Sequence, residues 1–325
     1  MKRIMVTGAT GQIGSALTAA LRSRCGDTNV VAVGHRNSPP PEILQAGYYL
    51  SLDVTDPAPL AAAVREYNIG TIFHLAAVLS AKASRNPLFA WNVNMKGLLN
   101  VLEAARKNGC ALFFPSSIGV FGPATPKDQT PQETVLRPST IYGITKVAGE
   151  LLCDYYHREF GVDTRGLRYP GLISYETPPG GGTTDYAVEI FYSAIQHQRY
   201  TCFLQKNTRL DMMYMADAVR AAIELMEADS KTLIHRNAYN LGAMSFTPEE
   251  LAREIRKHFP HFEVEYCTDP LRQAIADSWP NQIDDTAART EWSWAPEYDL
   301  STTVREMIKH LRFRLFAQNN RQACL

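Results

Sequence analysis

The sequence predicts an α/β fold, a doubly wound parallel sheet with a smaller C-terminal part appended. Through the first half, short apolar runs alternate with stretches of helical period, the pattern of parallel strands joined by crossover helices. A turn punctuated by Gly8, Gly11 and Gly14 follows the first apolar run and opens the first helical stretch. With 325 residues, 45% of them hydrophobic, the chain can fill one large core or two modest ones.

Taken in order, strands are expected at Ile4 to Val6, Val30 to Val33, Tyr48 to Leu52, Thr71 to Leu75, Leu112 to Pro115 and Thr164 to Arg168. The stretches between them that carry helical period run from Ile13 to Ser23, Pro57 to Tyr67, Pro87 to Lys107 and Thr140 to Phe160. From about Tyr175 the pattern loosens into loops such as Pro178-Pro179-Gly180-Gly181-Gly182, then resumes as mixed elements ending in a helix near Leu300 to Leu315. Residues 1–174 are therefore expected to form the nucleotide-binding unit. Residues 175–315 are expected to be mainly a substrate-binding part, some of whose segments return to the first unit, and 316–325 a tail.

Composition narrows the function. Lys+Arg and Asp+Glu stand at 33 each and no basic run is present, which argues against nucleic acid as a partner. The six cysteines (Cys25, Cys110, Cys153, Cys202, Cys267, Cys324) lack C-x-x-C spacing, so they read as reduced, packing thiols rather than a disulfide frame or a metal site. No run approaches the ~20 apolar residues of a membrane helix. Ile4 to Val6 is too short for a signal-peptide core, so a soluble cytoplasmic protein is expected.

The run Gly8-Ala9-Thr10-Gly11-Gln12-Ile13-Gly14 sits where a dinucleotide site requires it, between a strand and a helix. Gly8 permits the tight turn, Gly11 lets a pyrophosphate approach the backbone, and Gly14 lets helix pack on strand. The pyrophosphate would rest on free amides at the helix N-terminus. The acidic residue expected ~20 positions later for the adenosine ribose is replaced by Gly34, followed by His35 and Arg36. Arg36 suits a 2'-phosphate as well as it suits solvent, so NADP stands beside NAD at this point.

Tyr142 and Lys146 are four residues apart on one helical stretch and share a face. A tyrosine of ordinary pKa ~10 is a poor base at neutral pH unless a nearby cation favours the phenolate. Lys146 and the charged oxidised nicotinamide are expected to supply that field. The same spacing arises by chance on many helices. Its company here is Phe113-Phe114-Pro115-Ser116-Ser117, an apolar strand delivering hydroxyls to the carboxyl edge of the sheet, where such folds bind ligands. Either serine fits that description.

Together the G-x-x-G-x-x-G loop and the serine, Tyr142 and Lys146 set resemble the extended short-chain dehydrogenases/reductases. That resemblance implies a Rossmann domain with Gly8, Gly11, Gln12, Ile13 and Gly14 at the pyrophosphate, Arg36, Asp53 and Val54 at the adenosine, and Leu75, Ala76 and Ala77 along the cofactor. It also implies that Asn94, in an N-x-x-G match, joins the active-site network, and that Tyr169 lines the nicotinamide pocket. Val120-Phe121-Gly122 matches the family's V-Y-G, which favours Ser117 over Ser116. Ser117 would then hold the reacting hydroxyl, Tyr142 act as base, and Lys146 bind the ribose and tune Tyr142.

Within that family, Pro179-Gly180-Gly181-Gly182-Thr183-Thr184-Asp185-Tyr186-Ala187, with Ser139 to Gly143 and Asp277 to Pro280, resembles the short-chain type of L-threonine 3-dehydrogenases. The resemblance runs through nearly the whole chain. It implies oxidation of the threonine C3 hydroxyl to 2-amino-3-oxobutanoate with hydride transfer to NAD, no metal, and a small amino-acid substrate held by Ser80, Ser117, Tyr142, Gly182, Thr184, Asp185 and Trp279. Physically, amides of the glycine loop suit a carboxylate, and Thr184 and Asp185 suit an ammonium. They serve equally as helix caps, and Trp279 is by composition a core residue. Relatives of this kind imply a homodimer through the Pro87 to Lys107 and Thr140 to Phe160 helices. A UDP-sugar 4-epimerase, or a non-catalytic dinucleotide sensor, are the alternatives.

Overall fold

The computed structural model describes residues 2–180 and 182–322. Its strands are β1 (Arg3–Thr7), β2 (Val30–Gly34), β3 (Tyr48–Ser51), β4 (Ile69–His74), β5 (Ala111–Ser117), β6 (Thr164–Tyr169), β7 (Gly171–Ile173), β8 (Arg199–Cys202), β9 (Leu210–Tyr214), β10 (Tyr239–Asn240), β11 (Met244–Phe246) and β12 (Glu263–Tyr266). Seven of them form one parallel sheet in the order β10-β6-β5-β4-β1-β2-β3. The six expected strands are all in it, each shifted by at most two residues at an end.

Helices cover both faces of this sheet, so its central strands are apolar on both sides. Side chains alternate between two cores. Val6, Phe73, Phe113 and Leu167 meet helices Gln12–Cys25 and Met215–Glu227, while Met5, Ile72, Leu112 and Phe114 meet Pro57–Glu66, Gly97–Asn108 and Ile141–Phe160. A third core lies C-terminal to these, around Tyr186, Phe191, Met212, Phe246, Leu251 and Met307. It is framed by the small sheets β11-β9-β7 and β12-β8 and by the long final helix Leu300–Gln322.

The later half of the chain is not a separate block. β10 pairs with β6 in the main sheet, and helix Met215–Glu227 packs beside the first helix in the same core. The expected single helix over Pro87 to Lys107 is interrupted: Pro87–Trp91 is α-helical, Asn92–Lys96 forms a π-helical turn, and Gly97–Asn108 resumes the α-helix. The interruption falls where the helix passes Val54, whose Cγ2 stands 2.9 Å from where a Cβ on Gly97 would be. Such π turns concentrate at functional sites, and this one carries Asn94.

Candidate active site

Neighbours β2 and β4 flank β1, so the strand order reverses there and opens a crevice at the carboxyl edge of the sheet. The glycine loop sits in that crevice and is shaped by contacts that tolerate no side chain. Gly8 has φ +72°, and a Cβ on it would lie 2.7 Å from the Ala76 nitrogen. A Cβ on Gly14 would stand 2.1 Å from the Gly8 carbonyl oxygen. The first helix then starts at Gln12 with Gly11 as its N-cap and no side chain capping it. Its leading amides are thus available to an anion, the feature a pyrophosphate needs. The loop fits a dinucleotide.

At the end of β2 the missing acidic residue has a steric reason. A Cβ on Gly34 would fall 2.4 Å from the Tyr49 hydroxyl and 3.1 Å from the Thr10 methyl. Arg36 stacks its guanidinium 5.0 Å over the Phe89 ring on the exposed side. Asp53 accepts from the Thr55 amide at 2.9 Å and the Thr55 hydroxyl at 2.8 Å, with His35 at 3.5 Å. Burial works to raise its pKa, but the Thr55 bonds and the charges of His35 and Arg36 hold it below the usual value.

Three side chains converge at the end of β5, two strands from β1. Ser117 ends β5, and its Oγ accepts the Gly119 N–H at 3.1 Å, turning the chain into the short Ile118–Val120 helix. Helix Ile141–Phe160 begins beside it, capped by Thr140, whose Oγ1 accepts from Gly143 at 3.1 Å. Gly143 allows the approach, since a Cβ there would meet the Gly119 carbonyl at 2.1 Å. Tyr142 is thereby laid against Gly119 and hydrogen-bonded to Ser117. Lys146 is buried, donates to the Pro115 carbonyl at 2.6 Å, and lies 4.7 Å from the Phe114 ring centroid and 5.6 Å from that of Tyr142.

The electrostatics differ in sign from the expectation for Tyr142. Burial pushes its phenol up to about 12, with only the Ser117 hydrogen bond acting the other way. Burial also brings Lys146 down to about 8 against the upward pull of Glu150. Within the protein itself desolvation is the largest influence on both groups.

Around this trio lies a buried polar frame. Ser116 donates to Glu150, whose carboxylate is gripped by Arg168 at 3.1 and 2.9 Å. Arg168 also reaches Gln132 O at 2.9 Å and Asn240 Oδ1 at 3.1 Å, tying β6 to β10 and to the loop after β5. Ser116 is thus consumed by the frame, and Ser117 is the serine at the cleft. Asn94 accepts from the Val78 amide at 2.7 Å and donates to Thr145 Oγ1 at 3.1 Å, which locks the π turn to the Tyr142 helix. His74, at the end of β4, is buried and bonded to Thr7 Oγ1 at 2.8 Å; burial, then Lys146, hold it neutral down to about 3.

Other expected site residues are placed differently. Tyr169 turns its ring into the core and donates its hydroxyl to the Ala218 carbonyl at 2.7 Å, so its side chain does not line the cleft. Its strand alternation points it away from the face that Arg168 shares with Glu150. Asp185 is not left for an ammonium: it accepts the Gly180 and Gly182 amides, both at 2.7 Å. The Gly180 and Gly182 amides, expected to receive a substrate carboxylate, are engaged by this aspartate. Gly181 and Cys324 lie outside the described residues. Thr184 packs its methyl beside Gly171. Half-buried Trp279 spans the C-terminal core and the cluster of Ile118, Val120 and Phe121. Ser80 opens the short helix Ser80–Arg85.

The profile of the NAD dependent epimerase/dehydratase family matches residues 4–242. The chain belongs to that family. A full-length relative, an uncharacterized epimerase/dehydratase of Staphylococcus saprophyticus, is 52% identical over 308 residues, 95% of this chain and 96% of its own. Among solved structures, L-threonine dehydrogenase from Clostridium difficile is similar at 52% identity and TM-score 0.95, across 97% of this chain and 98% of that one. The holo form of the GalE-like L-threonine dehydrogenase from Cupriavidus necator is similar at 49% identity and TM-score 0.92, across 95% and 99%. NAD is the dinucleotide of the family, and the uncapped glycine cradle suits it.

Sequence reading missed His74, Glu150 and Arg168. Glu150 follows Lys146 by one helical turn and Arg168 ends the sixth expected strand, but each shares its element with other charged residues, so nothing in the sequence singled them out.

Proposed function

We propose that this family member oxidises the C3 hydroxyl of L-threonine to 2-amino-3-oxobutanoate with NAD. The supporting observation is the convergence of Ser117, Tyr142 and Lys146 beside an uncapped glycine cradle, in a chain similar over nearly its full length to L-threonine dehydrogenases. Bound NAD supplies the hydride acceptor. Gly8, Gly11, Gln12, Ile13 and Gly14 hold its pyrophosphate through backbone amides, and Asp53 and Val54 flank its adenosine, with Leu75, Ala76 and Ala77 along it.

Ser117 donates to the substrate oxygen, and the Tyr142 phenolate takes the hydroxyl proton as C3 gives up its hydride. Lys146 holds the ribose from its seat on the Pro115 carbonyl. Ser80, Thr184, Gly182 and Trp279 bound the amino-acid side of the cleft, and Asp185 shapes the loop that carries two of them. The product is a β-keto acid and loses carbon dioxide in water. Incubating purified protein with L-threonine and NAD, then with NADP, and following nicotinamide absorbance tests the reading. Absence of reduction with either nucleotide refutes it, and turnover of a UDP-sugar without net reduction would install the epimerase alternative.

We further infer a homodimer in the cytoplasm. Ile144, Leu151 and Tyr155 expose 43%, 62% and 47% of their surface along one face of helix Ile141–Phe160. Leu88, Trp91 and Leu99 do so at 84%, 45% and 42% on the neighbouring helical run. Exposed apolar side chains on two neighbouring helical runs suit a two-fold contact between like helices. The described cysteines are all free thiols, as a reducing compartment requires, and no helix among the described residues is long and apolar enough to cross a membrane. Light scattering that gives a monomer mass overturns the dimer.

A further inference from the structure

We propose that Asp211 is a positioning residue for this reaction: its carboxylate fastens the Asn281–Asp285 segment to β9 and so seats Trp279 and Ile283 against the turn that carries Ser117. The inference rests on the reading of the cleft as an amino-acid site bounded by Trp279.

The strand alternation sets it up. Leu210, Met212 and Tyr214 of β9 face the C-terminal core, so Asp211 points to the opposite side. There it is 2% exposed. No cationic side chain pairs with it among the described residues. Its Oδ2 accepts the Ile283 amide at 2.8 Å, and the amides of Ala243 and Met212 also reach the carboxylate. The other charge it feels is Asp285, whose own carboxylate is held by Arg289 at 2.6 and 3.0 Å. A carboxylate buried this deeply keeps its place only because main-chain donors surround it. One of those donors belongs to a segment distant in sequence.

That segment leads to the active site. Ile283 is 4% exposed and packs with Ile118, Val120 and Phe121, the residues that directly follow Ser117. Trp279, separated from Asn281 by Pro280 alone, packs on the same cluster. The segment's other edge is tied to the loop after β5, with Thr130 donating to Gln282 at 3.0 Å and receiving from Asp284 at 3.0 Å. Asp211 therefore supplies the attachment on the β9 side, and its loss loosens the segment without detaching it. The consequence falls on the amino-acid side of the cleft and spares the nucleotide side, which is built from β1, β2 and β4.

Two variants of the full chain test this, Asp211→Ala and Asp211→Asn, the second keeping an acceptor oxygen for Ile283. Hydrogen exchange of the Ile283 amide and the KM values for threonine and NAD are read on each. The expected result for Asp211→Ala is Ile283 exchange faster by about tenfold, the order set by losing one hydrogen bond to a charged acceptor. Its threonine KM should rise by a similar factor while that for NAD holds, and Asp211→Asn should restore both. Unchanged Ile283 exchange in Asp211→Ala, or threonine and NAD KM rising together, overturns the proposal. The exchange measurement needs no turnover, so failure of threonine as a substrate is distinguishable from failure of the Asp211 attachment.

Discussion

Lys146 donates to the main-chain carbonyl of Pro115 at 2.6 Å, so the ammonium is anchored to the strand that ends in Ser117. The contact explains how a buried cation is kept near Tyr142 without bonding to it. It also sets the acid–base behaviour. Burial holds the Tyr142 phenol up at about 12 and brings Lys146 down to about 8. The Tyr142 phenolate therefore increases as pH rises, while the Lys146 cation is lost above about pH 8. Threonine oxidation should accelerate in kcat/KM from pH 6 to pH 8, where Lys146 still carries its charge, and a profile that declines over that span refutes Tyr142 as the proton acceptor.

Replacing Tyr142 by Phe removes the acceptor while leaving the ring that packs beside Gly119. Turnover should fall by about 10²- to 10⁴-fold, the usual contribution of a general base. Nucleotide affinity, measured by fluorescence titration, should remain close to wild type.

Gly143 is where the Tyr142 helix touches the turn that follows Ser117. Its Cβ would stand 2.1 Å from the Gly119 carbonyl oxygen and 2.5 Å from Pro138 Cβ. Gly143→Ala should push Tyr142 away from Ser117, cost about 1–3 kcal/mol of stability as overpacking does, and lower kcat more than it raises the NAD KM. Gly180→Ala, where nothing lies within 4 Å of the added carbon, is the tolerated control in thermal melts.

The Glu150–Arg168 pair is buried, with 6% and 8% of the side chains exposed. Arg168→Met would strand a buried carboxylate, at a cost of about 3–5 kcal/mol. Adding Glu150→Gln should recover part of that loss in denaturant melts. Equal stability of the single and double variants would show that the pair does not act as a unit.

Asp211 gives a stability signature of its own. Burial raises its pKa from 3.8 to about 7, so between those values the folded state holds a proton that the unfolded chain has released. Stability contributed at this site falls as pH climbs from about 4 to about 7 and is level above that. Asp211→Asn removes the dependence. The variant should be more stable than wild type at pH 8, by up to about 4 kcal/mol in denaturant melts, with the advantage fading toward pH 4; a pH-independent difference contradicts the assignment.

The amino-acid sequence by itself determined the alternation of strands and helices, the glycine loop between β1 and the first helix, and the shared helical face of Tyr142 and Lys146. These are local: periodicities of two and 3.6 residues and the turn chemistry of glycine act over a few positions and leave their mark in the order of residues. The Val120-Phe121-Gly122 match favoured Ser117 over Ser116 in the sequence, but the physical reason is tertiary, because Glu150 and Arg168, from other elements, claim Ser116. The same holds for Tyr169, drawn to the Ala218 carbonyl, for Asp185, which turns back onto its own loop, and for Asp211, met by Ile283 from 72 positions away. Desolvation follows the same rule: the pKa values of Tyr142 and Lys146 depend on what the whole fold packs around them, which spacing along the chain does not record.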